Sequence, residues 1–189
     1  MGVTTSEKLL TAEEFALLPE PLEGGKMELV KGRICMAPPV GEEHGQRALD
    51  IGAELRRFSK THRLGTVLVE TGFRLSRDPD TVRAPDVAFV AESRLDPARD
   101  RTRYLEGPPD LAVEVVSPGD RDREVQEKLS AYFAAGTPRV WVVRPDQRTV
   151  TVHRPGGDGH TYGIDDTLTS ADAGFAVAGF DLALRELFE

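Results

Sequence analysis

Two carboxylates stand where the chain otherwise asks for apolar side chains. In APDVAFV, residues 84–90, period-two alternation puts Asp86 on one face with Ala88 and Val90, and in DLAVEVVS, residues 110–117, Glu114 shares its face with Ala112 and Val116. Burying an unpaired carboxylate costs several kcal/mol, and two placed close together push one of them to stay protonated. Such acids are tolerated when each has a cationic partner or when both share a metal ion. A candidate cation is Lys128, on the helix that follows the Glu114 strand, three residues past Val125 and four before Tyr132. There its aliphatic stem can pack along the apolar face while the ammonium points toward the strand ends. The plain structural alternatives are salt bridges of Asp86 with Arg83 and of Glu114 with Lys128.

Other polar residues carry weaker signals. Glu28 lies in an alternating hairpin strand, where the default is the exposed face. His44 stands near a helix start, a common place for a surface or capping residue, and Tyr132 suits core packing with its hydroxyl satisfied by a site carboxylate. His62, His153 and His160 show no metal-ligand spacing, and Cys35 reads as a small apolar filler in a hairpin strand. The basic loop RDRTR (99–103) and the pair Arg56-Arg57 fit solvated surface better than a phosphate contact, so no nucleic-acid-binding residue is assigned.

The elements that must position these residues follow from pattern. Thr11 and Glu14 form a capping-box signature opening a short helix stopped by Pro19. Residues 26–31 and 33–37 flank Gly32 and predict a tight hairpin with Lys31-Gly32 at its turn. Residues 43–62 carry Ala48, Ile51, Leu55 and Phe58 at helical spacing. Strand-like runs follow at 66–75 and 82–91, then a charged, proline-containing loop over 92–109. The run at 110–117 is dense in β-branched residues and predicts a buried central strand. A helix over 122–136 has Val125, Leu129, Tyr132 and Phe133 on one side and Gly136 as its C-cap. Residues 140–144 and 149–154 predict paired strands, and a last helix runs from Asp181, as N-cap, to Phe188. The result is a mixed α/β (α+β) fold, with residues 1–10 expected as a flexible leader and 11–189 as one domain.

Composition bounds the function classes. The formal net charge is −8, which opposes broad nonspecific binding to nucleic acid. Yet 19 of the 24 basic residues are arginine, the side chain suited to bidentate phosphate contacts. One cysteine excludes an intramolecular disulfide and a multi-cysteine zinc site. With no apolar run near the ~18 residues of a membrane helix and no signal-like start, no membrane association is expected and the cytoplasm is the expected compartment.

Taken together, Pro85-Asp86 followed by Glu114-Val115-Val116, KMELVKGRI around Glu28, His44 opening a helix, KLSAYFAAG and RVWVV resemble the Uma-type branch of the PD-(D/E)XK phosphodiesterase superfamily. The match runs from about residue 11 to the C-terminus, and it rests on order and spacing rather than on any one motif. The resemblance implies a restriction-endonuclease-like core, a mixed central β-sheet flanked by helices, with the N-terminal hairpin as an extension. It implies Mg²⁺, with Mn²⁺ as a substitute, held by Asp86 and Glu114, by the backbone carbonyl of Val115, and by Glu28 directly or through water. Lys128 would complete the catalytic set, with His44 and Tyr132 as accessory residues. One departure stands out: the usual lysine two residues after the glutamate is Val116 here, and its place is taken by Lys128 on the following helix. The implied activity is hydrolysis of DNA phosphodiester bonds, by a homodimer on family analogy. The alternatives are a nuclease-fold binding module with weak or no turnover, and a hydrolase of small phosphodiesters.

Overall fold

Thr11 opens the first helix as its neighbours require. Its hydroxyl accepts from the Glu14 amide at 3.1 Å and the Glu14 carboxylate accepts from the Thr11 amide at 3.0 Å, so α1 spans Ala12–Phe15 with a reciprocal capping box. The computed structural model describes residues 8–19, 21–22, 24–157 and 159–189; the first seven positions of the expected leader lie outside these. The Leu10 amide donates to the Gly32 carbonyl at 2.9 Å, tying this segment to the hairpin.

The hairpin forms as predicted. Strands β1 (Lys26–Val30) and β2 (Arg33–Ala37) pair antiparallel over five residues. Lys31 and Gly32 both take positive φ, 50° and 75°, the mirror-image turn whose twist matches the flanking strands. Cys35 is exposed there, not the packed filler expected, because β2 is the outermost strand of its sheet. Helix α2 (Glu42–His62) then buries Ile51, Leu55 and Phe58.

Both strand-like runs that follow are split. Strand β3 (Gly65–Val69) ends at Glu70, whose φ of 48° turns the chain, and β4 (Phe73–Ser76) joins a different sheet. In the same way β5 (Thr81–Arg83) and β6 (Val87–Ala91) flank Ala84-Pro85-Asp86 and lie in different sheets. Proline has no N–H to continue a ladder, and a period-two pattern does not say which sheet each half enters. Within the expected loop 92–109, the two-residue β7 (Leu105–Glu106) pairs parallel with β4.

Strand β8 (Leu111–Val115) is buried along its whole length, and α3 (Asp122–Ala135) ends at Gly136, whose φ of 99° makes the left-handed C-cap. Strands β9 (Val140–Arg144) and β10 (Thr149–His153) pair antiparallel as expected. They are followed by β11 (His160–Tyr162), β12 (Thr167–Thr169) and α4 (Ser170–Ala173). The terminal helix is shorter than predicted. Residues Asp181–Ala183 form β13 against β12, and α5 spans Leu184–Phe188. Asp181 is therefore a strand residue rather than the N-cap.

A six-stranded sheet runs β11-β10-β9-β8-β6-β3 and a five-stranded one β2-β1-β5-β4-β7. The six-stranded sheet is mixed, since β8 and β9 are parallel while β6 and β8 are antiparallel. Alternation in β8 assigns its two faces. Leu111, Val113 and Val115 pack with Ile51, Leu55 and Phe58 of α2, whereas Ala112 packs with Val125, Leu129 and Tyr132 of α3. Glu114 has the parity of Ala112 and so belongs to the α3 face. Among the described residues no helix is long and apolar enough to cross a membrane.

Close backbone approach at the β3–β6 edge demands glycine. A Cβ on Gly65 would lie 2.1 Å from the Val90 carbonyl oxygen at a φ of 156°. Gly65→Ala is expected to cost roughly 2–4 kcal/mol, read as a lowered urea midpoint at unchanged slope.

Candidate active site

The register of the sheet brings the two anomalous acids together. Strands β6 and β8 pair Val87 with Val113 and Ala88 with Ala112, and continuing that register past the start of β6 brings Asp86 level with Glu114. The next rung sets Pro85 opposite Val115, and proline cannot donate. The Val115 amide donates instead to Asp86 Oδ2 at 2.7 Å. The chain break that removes Asp86 from the ladder thus directs its carboxylate at the end of β8. Asp86 and Glu114 are 5% and 4% exposed.

Each acid has its own ammonium partner. Lys128 Nζ donates to Glu114 Oε2 at 2.6 Å, and Tyr132, fully buried, donates its hydroxyl to Glu114 Oε1 at 2.7 Å. Helical spacing puts these two α3 residues on one side, four apart, over the sheet. Lys26, the first residue of β1, lies 3.2 Å from Asp86 Oδ1 and 2.8 Å from Glu70 Oε2. His44 reaches Asp86 from the first turn of α2. Its Nε2 lies 3.4 Å from Asp86 Oδ2 without hydrogen-bond geometry, and its Nδ1 is 3.1 Å from Ser117 Oγ.

Glu28 sits beside this group but is held differently. Oε2 accepts from Arg83 at 2.6 Å and Oε1 from the Ala84 amide at 2.8 Å. Arg83 therefore serves Glu28 and not Asp86, which corrects the simple pairing drawn from sequence; the cation on Asp86 is Lys26. The Glu114–Lys128 pair is the one both sequence readings expected.

The cluster carries excess negative charge: the carboxylates of Glu28, Glu70, Asp86 and Glu114 face the cations Lys26, Arg83 and Lys128. Burial and the neighbouring Asp86 charge raise the Glu114 carboxyl against the pull of Lys128. Burial likewise raises Glu70, with Asp86 adding to it. Burial opposes the charge on Lys26 and Lys128, yet the surrounding carboxylates push both ammoniums above their ordinary values. Burial also lifts the Tyr132 hydroxyl well up, with Glu114 adding to it. Asp86 and Glu28 move the other way. Burial would raise them, but His44, Lys26 and the Val115 amide hold Asp86 low, and Lys128 and Arg83 hold Glu28 low.

Among the described residues, no group of three or more His, Cys, Asp or Glu stands ready-made around a metal position; the ammoniums of Lys26 and Lys128 lie against the Asp86 and Glu114 carboxylates. The donor chemistry nonetheless suits a hard divalent cation. Carboxylate oxygens converge at one strand end, the local charge is negative, and His44 Nε2 is buried beside them with no hydrogen-bond partner. Sequence reasoning missed Lys26, Glu70 and Ser117. The one available signal was an acid at position 70 inside the apolar run TVLVETGF.

The mixed sheet flanked by helices is a restriction-endonuclease-like fold, as the structural comparison below shows. The chain matches the model of Uma2, described as "Putative restriction endonuclease", over residues 12–184, and it belongs to that family. A crystal structure of "a putative nuclease belonging to DUF820" from Anabaena variabilis shares the fold, with a TM-score of 0.76 at 22% identity over 95% of this chain and 97% of that one. The cryo-electron microscopy structure of a DrdV–DNA complex aligns at a TM-score of 0.41 and 15% identity over 78% of this chain and 13% of that one. No curated protein matches the chain.

Proposed function

We propose that this protein is a divalent-cation-dependent DNA endonuclease, with Asp86 and Glu114 as the metal's carboxylate ligands and Lys128 beside the reacting phosphate. The observation that carries this reading is the placement of Asp86 at the end of β8, where it accepts from the Val115 amide at 2.7 Å next to Glu114, with Lys128 on Glu114 at 2.6 Å. Mg²⁺ suits the all-oxygen donors, and Mn²⁺ would substitute. When bound, the cation would polarise a phosphodiester oxygen and make hydroxide accessible near neutral pH.

The chain's own groups do the rest. Tyr132 fixes the Glu114 carboxylate through Oε1, leaving Oε2 to its changeable partners. The Val115 carbonyl, at the end of β8 next to Glu114, would serve as a further oxygen donor. With both oxygens engaged by Arg83 and Ala84, Glu28 contributes through water or through its field on Lys128. Lys128, partly exposed at the site edge, orients the attacking water or meets charge developing on phosphorus. His44 holds Asp86 from the α2 side. A two-fold homodimer would present two such sites to the two strands of a duplex, in the cytoplasm.

A second reading, a binding module with little turnover, is favoured by the ammonium already seated on each acid and by the net charge of −8. Plasmid incubated with Mg²⁺ or Mn²⁺ separates them. Cleavage is expected for the wild type and is expected to be lost in Asp86→Ala. Metal binding without cleavage would favour the module, and turnover confined to small model phosphodiesters would point to a different substrate.

A further inference from the structure

The least expected feature of the site is Lys26. The chain has five lysines among its 24 basic residues, yet both cations lying on the facing acids Asp86 and Glu114 are lysines. An arginine fork would clamp a carboxylate bidentately, whereas an ammonium is a compact point charge on a flexible stem. Lys26 Nζ lies between Glu70 Oε2 and Asp86 Oδ1, at 2.8 and 3.2 Å, bridging two carboxylates as a cation would. Its side chain is 21% exposed and that of Glu70 54%, so the ammonium has a direct path to water. Glu70 is held there by the backbone, being the residue at φ 48° that ends β3. A non-glycine residue in that region is an uncommon conformation, one that gathers at functional positions. Independently, His44 Nε2 is nine-tenths buried and makes no hydrogen bond, lying 3.4 Å from the same Asp86 carboxylate, a polar atom aimed into the site with its hydrogen-bonding capacity unfilled.

We propose that a divalent cation enters by displacing the Lys26 ammonium from between Glu70 and Asp86, so that Glu70 becomes a metal ligand beside Asp86. The inference rests on the metal-dependent reading above. In the metal-free protein Lys26 is the counter-cation that lets Asp86 stay buried and ionised; on binding, it swings outward on its stem. The same exchange accounts for the lack of a ready-made metal cluster among the described residues.

Mn²⁺ titration calorimetry and thermal unfolding in a chelator test this without any assay of cleavage. Lys26→Met keeps the packing of the stem. It is expected to bind Mn²⁺ roughly ten-fold more tightly, to melt lower than wild type without metal, and to gain more from Mn²⁺. Lys26→Arg keeps the charge and adds a firmer grip, so it is expected to bind Mn²⁺ more weakly than wild type. Glu70→Gln in the Lys26→Met background is expected to weaken binding roughly ten-fold. Equal affinity in Lys26→Met and wild type overturns displacement. Equal affinity in Lys26→Arg and wild type means simple charge relief and overturns it as well. An unaffected Glu70→Gln removes Glu70 from the ligand set. Absence of Mn²⁺ binding by the wild type and every variant would instead overturn the metal-dependent reading itself, and displacement with it.

Discussion

Glu114→Gln is expected to lower metal-dependent DNA cleavage by about 10³-fold, equivalent to ~4 kcal/mol of transition-state stabilisation, while leaving the protein folded. The side chain sits between Tyr132 at 2.7 Å and Lys128 at 2.6 Å and is fully enclosed. Glutamine has the same shape, and its carbonyl can still accept from the Tyr132 hydroxyl, so packing is retained. What is lost is the charge. Because burial raises the Glu114 carboxyl, its protonated form favours the folded state. That contribution is complete below the ordinary value and is lost as pH rises through the folded one. Wherever the folded side chain is ionised its charge costs stability, and the neutral amide removes that cost. The severed ion pair offsets part of this gain, although Lys128 is partly exposed and can turn to water. Stability near pH 7 is expected to stay within about 1–2 kcal/mol of wild type. Plasmid cleavage beside chemical denaturation reads both quantities. Cleavage within ten-fold of wild type would remove Glu114 from the chemistry.

The opposite pattern is expected for Arg83→Ala: a large loss of stability. Arg83 and Glu28 are 6% and 7% exposed and bonded at 2.6 Å. Removing the guanidinium leaves a carboxylate buried with the Ala84 amide as its one close donor, which costs about 3–5 kcal/mol. The pair also joins β1 to the end of β5, the connection that brings Lys26 to Asp86, so the site loosens with it. Arg83→Met combined with Glu28→Leu is expected to recover most of the loss, since it removes the buried charge instead of orphaning it. The pH dependence carries a second signature. Burial would raise Glu28, but Lys128 and Arg83 hold it below its ordinary value. The pair therefore stabilises above the unfolded value of about 4.3, and that stability is lost as pH falls through the lower folded value. In Arg83→Ala this part of the acid destabilisation is expected to shrink. Denaturation midpoints between pH 3 and 7 measure it, and a wild-type profile in the variant would contradict the role given to Arg83.

Local elements were legible because their causes are local. The capping box at Thr11 and Glu14, the Lys31-Gly32 turn, the apolar stripe of α2 and the Gly136 cap each depend on residues within a few positions of one another. The errors share one cause as well. The runs at 66–75 and 82–91 continue a strand pattern across Glu70 and Pro85, where the chain passes from one sheet to the other. Alternation records that a residue is half-buried, not against which sheet. At the C-terminus, Asp181 precedes a helical pattern yet pairs with Thr169, a partner twelve residues back that no local signal names.

The candidate site divides in the same way. Sequence alone determined that Asp86 and Glu114 occupy positions too apolar for unpartnered acids, and that Lys128 and Tyr132 follow at helical spacing on one side, because alternation and helical period are properties of short segments. Tertiary structure decided the partners. It assigned Arg83 to Glu28, Lys26 and His44 to Asp86, and it brought in Glu70 from the end of β3. Those assignments join residues 42 to 60 positions apart, and such distances close only when the register of β6 on β8 and the folding of the hairpin onto β5 are set by the burial of the core as a whole.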